Sequence, residues 1–316
     1  MSDFVNSVVH RFKFPDYKLS EGVENAVQAL SIDDARAAFE PRLWEDNPNV
    51  EQVWFAGVHA NVGGGYPKQG MSLITIDWMI GKAEKAGLRF LARDRDFSRE
   101  HKSVDDKLYD SRSGWGRFYR WKPRDMRALC EAQKAGPRPK VHLSVFERIA
   151  YGIDGYAPGT IAPHVEVVYT PSGNPEQDRT ADARVEAVQS VLAKAFRHGS
   201  TSLPRLGYLP GRVAYYLYVS SLVIALVAVL HLATTGWSLK VTDEVILGAS
   251  IMFLLVSIGA ALSVNQRRSR AFSEFWHTSR HELRQGLKKS RERIRVELCA
   301  PNKPVLRGDE DLDPAA

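Results

Sequence analysis

The apolar residues of this chain fall into two unlike regimes. Residues 1 to about 205 mix apolar and polar positions, whereas about 213 to 264 is almost uncharged. In the first regime, Val53-Trp-Phe-Ala-Gly-Val58 is a continuous apolar run too short for a free-standing helix. Bounded by Asn49 and by glycines, it predicts a strand buried on both faces of a parallel sheet. Ahead of it, Leu19 to Leu30 and Ser31 to Phe39 predict two helices, with Ser20 and Ser31 as N-caps and Pro41 as the stop of the second. After it come His59, Ala60, Asn61, Val62 and the triple glycine Gly63-Gly64-Gly65. A helix over Ser72 to Ala86 follows, with Ile74, Trp78 and Met79 on its inner side and Gly87 at its end. Strand, tight glycine-rich loop and helix form an α/β unit. Residues 171 to 205 read as a linker around one short helix, Asp182 to Phe196.

The second regime predicts a membrane hairpin. Val213 to Ala233 and Val245 to Val264 contain no Asp, Glu, Lys or Arg. At about 1.5 Å of rise per residue each reaches roughly 30 Å, the thickness of a hydrocarbon core. Tyr215, Tyr216 and Tyr218 at one end and Trp237 at the other suit interfacial belts. The alternative is a pair of buried helices in a soluble core. Arg205 and Arg212 precede the first run and Arg267, Arg268 and Arg270 follow the second, which predicts both termini on the cytoplasmic side. Gly248, Ser250, Gly259 and Ala260 would let the helices approach closely. His231 near a helix end reads as interfacial. Beyond, Phe272, Phe275, Trp276, Leu283, Leu287 and Ile294 recur at helical spacing among basic residues. Such a helix lies either on anionic headgroups or against the α/β portion or a partner. The acidic end, RGDEDLDPAA, suits a disordered tail.

The mean hydropathy of -0.28 averages these regimes and resembles neither. A net charge of +6 carries no zinc-finger or RNA-binding motif, so nucleic acid is not an expected partner. The N-terminus lacks an apolar run long enough for a secretory signal. Cys130 and Cys299 match no zinc or redox spacing and fit a reducing compartment. His101, His142 and His164 read as exposed and show no ligand spacing. No cofactor or metal is expected.

The candidate chemistry lies at His59. Ligands of open α/β sheets bind beyond the carboxyl ends of the strands, and His59 stands at that edge. A lone histidine is usually structural, but a loop just past a buried strand is also where a hydrolase holds its general base. The triple glycine suits a phosphate cradle in composition, yet fits neither the dinucleotide nor the P-loop pattern.

VWFAGVHANVGGGYP followed by DWMIGKAEKAGLRF resembles the signature of the α/β-hydrolase family known as domain of unknown function 2235, which includes phospholipase effectors of bacterial type VI secretion. The likeness extends to NAVQALSIDDARAAFEPRLW upstream and to YDSRSGWGRFYRWKP, HLSVFERI and GYAPGTIAP downstream. The resemblance implies a serine esterase in which His59 deprotonates the serine and later protonates the leaving alcohol. Asn61, Gly63, Gly64 and Gly65 are the implied substrate-contacting positions, although many members carry Asp where this chain has Asn61. Asp16 matches a position where the family often has Asp and is one candidate for the triad acid; an aspartate upstream of Met1 is another. No Gly-x-Ser-x-Gly occurs in the sequence, so the nucleophile is expected from an N-terminal half ahead of Met1, separated by a frameshift, a mis-assigned start codon or a split gene.

Taken together these readings predict four regions. Residues 1–170 form a partial α/β-hydrolase-like domain with a parallel sheet and flanking helices, and 171–212 a linker. Residues 213–264 form a transmembrane hairpin (213–233 and 245–264), and 265–316 a basic amphipathic helix with an acidic tail. The expected protein is a multi-pass, lipid-contacting inner-membrane hydrolase, inactive until complemented. The alternative is a non-catalytic adaptor or immunity-like protein on a degenerate hydrolase surface.

Overall fold

The computed structural model describes residues 17–113, 116, 119–162, 164–198, 203–234 and 241–299. Strand β1 (Ala26–Ser31) pairs in parallel with β2 (Val50–Phe55), with Ala29 opposite Val53 and Ser31 opposite Phe55. Strands β3 (Lys140–His142) and β4 (Glu166–Val168) continue the sheet, also in parallel, in the order β1-β2-β3-β4. The α/β expectation therefore holds.

Side chains on β2 alternate between two cores, as the two-residue period of a strand requires. Val53 and Phe55 join Val62, Ile74 and Trp78 on one face. These come from α1 (His59–Gly63) and α2 (Gly70–Lys85). Trp54 points the other way and joins Leu30, Val141, Phe146, Ile149 and Leu192. That second core is built with α4 (Met126–Ala132), α5 (Leu143–Tyr151) and α6 (Pro175–His198). Burial on both faces explains why the strand sequence is apolar without a break. Polar α3 (Ala92–His101) is tied to α2 by the buried Asp77 carboxylate, which accepts from Arg99 at 3.3 Å and from Lys102 just beyond the helix.

Three elements differ from the sequence-based expectation, one of them α6, which runs Pro175–His198 and buries Val188, Val191 and Leu192 in the larger core where a linker around a short helix, Asp182 to Phe196, is expected. Leu19 to Leu30 is not a helix: its second half is β1, held by pairing to β2. Of Ser31 to Phe39 only Ala37–Phe39 forms a 3-10 turn. His142 is buried, not exposed. Its Nδ1 lies 2.8 Å from the Ser144 hydroxyl and its Nε2 3.1 Å from that of Thr170, and the ring stacks on Phe55. Burial, reinforced by Lys102, pushes its pKa down to about 3, so the ring stays neutral.

The membrane expectation is corrected. Among the described residues no helix is long and apolar enough to cross a membrane. That finding overturns the two-span hairpin of 213–264, and with it the multi-pass inner-membrane location. Each apolar run forms only part of a longer helix whose other part is polar. α7 (Leu203–Thr234) takes in Pro204, Arg205, Pro210 and Arg212 ahead of its apolar residues. α8 (Val241–Cys299) continues from its apolar residues straight into the basic stretch. The two helices pack on each other and leave large side chains exposed, among them Leu226, Val227, Met252 and Leu255.

The basic half of α8 is docked on the α/β portion. Trp276, Leu283 and Leu287 are buried in the larger core, and the Trp276 indole N–H donates to the Pro158 carbonyl at 2.7 Å. Arg280 Nε donates to the Ile149 carbonyl at 3.0 Å, and Arg284 Nε to that of Ala150 at 3.2 Å. These are last-turn carbonyls of α5, where the regular helix bonds run out; that of Ile149 also accepts from the Gly152 N–H at 3.1 Å. Cations there also oppose the negative end of the helix dipole.

Candidate functional site

The carboxyl ends of β1 and β2 bring three ionisable residues together. Asp33 and Asp34 follow β1, and His59 opens α1 just past β2. The two acids grip the intervening turn. Asp33 Oδ2 accepts from the Gly57 N–H at 2.6 Å, and Asp34 Oδ2 accepts from the His59 N–H at 3.1 Å. Gly57 has φ of 107°, and a Cβ there would collide with the Asn61 side chain, so glycine is required at that point of the turn.

His59 is exposed. Its ring meets the edge of Phe39, with centroids 5.2 Å apart, and among the described residues its nitrogens have no hydrogen-bond partner. Phe39 in turn lies beneath the Arg36 guanidinium, 3.6 Å from the ring centroid. Arg36 pairs with Asp34 at 2.7 Å. Aromatic, arginine and carboxylate thus form a rigid ledge beside an imidazole open to solvent.

The two carboxyls differ in chemistry. Burial pushes Asp33 up to about 6, against the Gly57 N–H, the Tyr156 hydroxyl at 2.8 Å and the charges of Arg124 and Arg148. Burial also opposes ionisation of Asp34. There the Arg36 side chain, with the backbone N–H groups of Arg36 and His59, outweighs it and holds the carboxyl below the ordinary range. Asp34 is the more readily ionised of the pair. The Ser111 hydroxyl also reaches Asp34, at 3.4 Å.

Among the residues expected to contact substrate, Asn61 is buried. Its side-chain oxygen accepts from the Val58 and Tyr109 N–H groups at 3.4 and 3.3 Å, and its amide donates to the Lys107 carbonyl at 3.1 Å. It ties the turn to the 107–109 segment. Gly63 and Gly65 are exposed and Gly64 half-buried. A Cβ at any of the three would meet open space, but Gly64 and Gly65 have φ of 89° and 108°. They serve the exit from α1 by conformation and leave the surface beside His59 uncrowded. Asp16 lies outside the described residues.

Asp34 is the residue that sequence reading misses. The signal is present in Ala29-Leu-Ser-Ile-Asp-Asp34, but only if those residues are taken as a strand. Asp34 then occupies, one strand over, the edge position that His59 occupies after β2. Among the described residues no three His, Cys, Asp or Glu side chains come together as a metal site would require.

Comparison with known proteins bears on this same segment. Residues 1–82 match the family described as the type VI secretion system phospholipase effector Tle1-like catalytic domain, and that span contains β1, β2, Asp33, Asp34 and His59. The uncharacterized protein YEL023C of Saccharomyces cerevisiae is 26% identical over an alignment of 98 residues that covers 29% of this chain. The chain spans only 14% of that protein's length. No solved structure matches. The part of the chain that carries the acid pair and the exposed imidazole is thus the part similar to a phospholipase catalytic domain.

Proposed function

We propose that this chain supplies the base and its supporting acid to an ester hydrolase acting on lipid esters. His59 takes the proton from an attacking hydroxyl as that oxygen bonds to the ester carbonyl. It then returns the proton to the departing alcohol. Asp34 is a positioning residue: it holds the backbone that carries the imidazole. The sequence contains no Gly-x-Ser-x-Gly. In this reading the nucleophile comes to the ledge from outside these 316 residues. The observation that carries the reading is an exposed imidazole at the carboxyl edge of a parallel sheet, on a residue whose backbone N–H is held by the Asp34 carboxylate. It lies within the segment similar to a phospholipase catalytic domain.

The test is co-expression with an N-terminal hydrolase half bearing the serine elbow, followed by assay of a long-chain ester. His59→Ala should lower kcat by on the order of 10⁴ or more. Asp34→Ala, which frees the turn, should lower it by up to about 10²-fold through misplacement of the imidazole. Equal rates for wild type and His59→Ala would remove His59 as the base and leave a non-catalytic binding role.

A further inference from the structure

The paired helices α7 and α8 are built inside out. Among the described side chains of their apolar stretches, those buried deepest are small: Ser221 and Ala228 on α7, Ser250 and Ser257 on α8. In each helix the two stand seven residues apart, which keeps them on one side, along the seam where the helices meet. The Ser221 and Ser257 hydroxyls donate to carbonyls of their own helices, those of Tyr218 and Phe253, both at 2.7 Å. Bulky side chains point outward instead. Val245, Met252 and Leu255 are 65, 64 and 61% exposed, and Val223, Val227 and Leu230 are also more than half exposed.

The outward positions are ordered. On α8 the exposed residues Val245, Gly248, Met252, Leu255 and Gly259 follow one another at alternating steps of three and four. That is the repeat by which one helix keeps a single line of side chains against another. The line lies across the helix from Ser250 and Ser257, and so faces away from α7. Glycine weakens a helix interior. A Cβ at Gly248 or Gly259 would meet open space, so among the described residues no contact asks for glycine at either position. Two knobs, Met252 and Leu255, set between two notches make the line self-complementary, as an isologous contact requires.

The area is that of an interface. The two helices expose apolar side chains amounting to on the order of 1,000 Å², above the roughly 300–600 Å² of a typical monomer's largest patch and the ~800 Å² per partner of a standard interface. Val213 to Ala233 and Val245 to Val264 contain no Asp, Glu, Lys or Arg, so a contact there strips water from none of these charges.

We infer that two copies of this chain pair hairpin to hairpin in a four-helix bundle, with α8 lying on α8 of the other copy across a two-fold axis. Met252 is the middle residue of the line, so it sits by that axis whether the two helices run parallel or antiparallel. The pairing does not rest on the hydrolase reading.

The experiment uses the full chain carrying Cys130→Ala and Cys299→Ala, which removes both native thiols. Sedimentation at micromolar concentration should give twice the chain mass. Under mild oxidation Met252→Cys should trap that dimer as a disulfide. Phe253→Cys, exposed but turned about 100° away, should not. Leu255→Glu should raise the dissociation constant at least ~100-fold with helix content unchanged, since its carboxylate would be buried without a partner. A monomer of the chain without these further substitutions overturns the inference, as does a ladder of larger species. Equal cross-linking at both cysteine positions would mark unspecific clustering and overturn it too, and so would a dimer that Leu255→Glu leaves intact.

Discussion

At Asp33 burial raises the carboxyl to about 6, while at its neighbour Asp34 the Arg36 contacts hold the carboxyl down. The sign of the Asp33 effect follows from proton binding. Between the unfolded value near ~3.9 and the folded value, the native chain holds more protons than the unfolded one. Stability from this group is therefore full below about pH 4 and lost as pH rises through about 6. Asp34 works in the opposite sense, giving stability above its unfolded pKa that is lost on acidification. Asp33→Asn keeps an acceptor for Gly57 and Tyr156 and removes the buried charge. We expect it to raise stability at pH 7.5 by roughly 1–3 kcal/mol and to flatten the dependence between pH 4 and 6, read from urea midpoints. A destabilised Asp33→Asn at pH 7.5 would mean that the ionised carboxylate is the form the fold requires. His59 is legible in the sequence because glycines and an apolar run frame it. Asp34 is not, because its role depends on which strand ends beside which.

The elements that can be read from sequence are those whose burial is written into composition. Val53 to Phe55 is apolar on both faces because both faces are covered, and α2 shows its inner side through Ile74 and Trp78. β1 is misread for the complementary reason. Ala26-Val-Gln-Ala-Leu-Ser31 contains good helix formers, and only pairing with β2 makes the segment extended. α5 depends on contacts that no local pattern encodes, since its last carbonyls are capped by side chains 131 and 134 residues further along. Arg280→Met retains most of the side-chain length while removing its donors. We expect it to cost about 1–2 kcal/mol and to speed amide exchange in the final turn of α5 ahead of the rest of the helix. Arg284, which is exposed, should matter less.

For the molecule as a whole, α8 is the element that joins regions distant in sequence. Its 59 residues make a rod of about 90 Å if straight. One stretch carries exposed Met252, Leu255 and Val256, and another buries Trp276, Leu283 and Leu287 in the larger core. Trp276→Ala should cost roughly 3–5 kcal/mol, because the indole is 1% exposed and its N–H is bonded to Pro158. Deleting residues 271–299 should abolish cooperative unfolding, measured by loss of a single denaturation transition, since one wall of that core goes with them. An unbroken α-helix transmits displacement along its axis better than it absorbs it. A tug or tilt applied near Val245 therefore arrives some tens of residues away as leverage on Phe272 and on the arginines that fasten α5. The rod is a mechanical handle on the α/β portion, so a load at its far end is borne by Trp276 and by the last turn of α5.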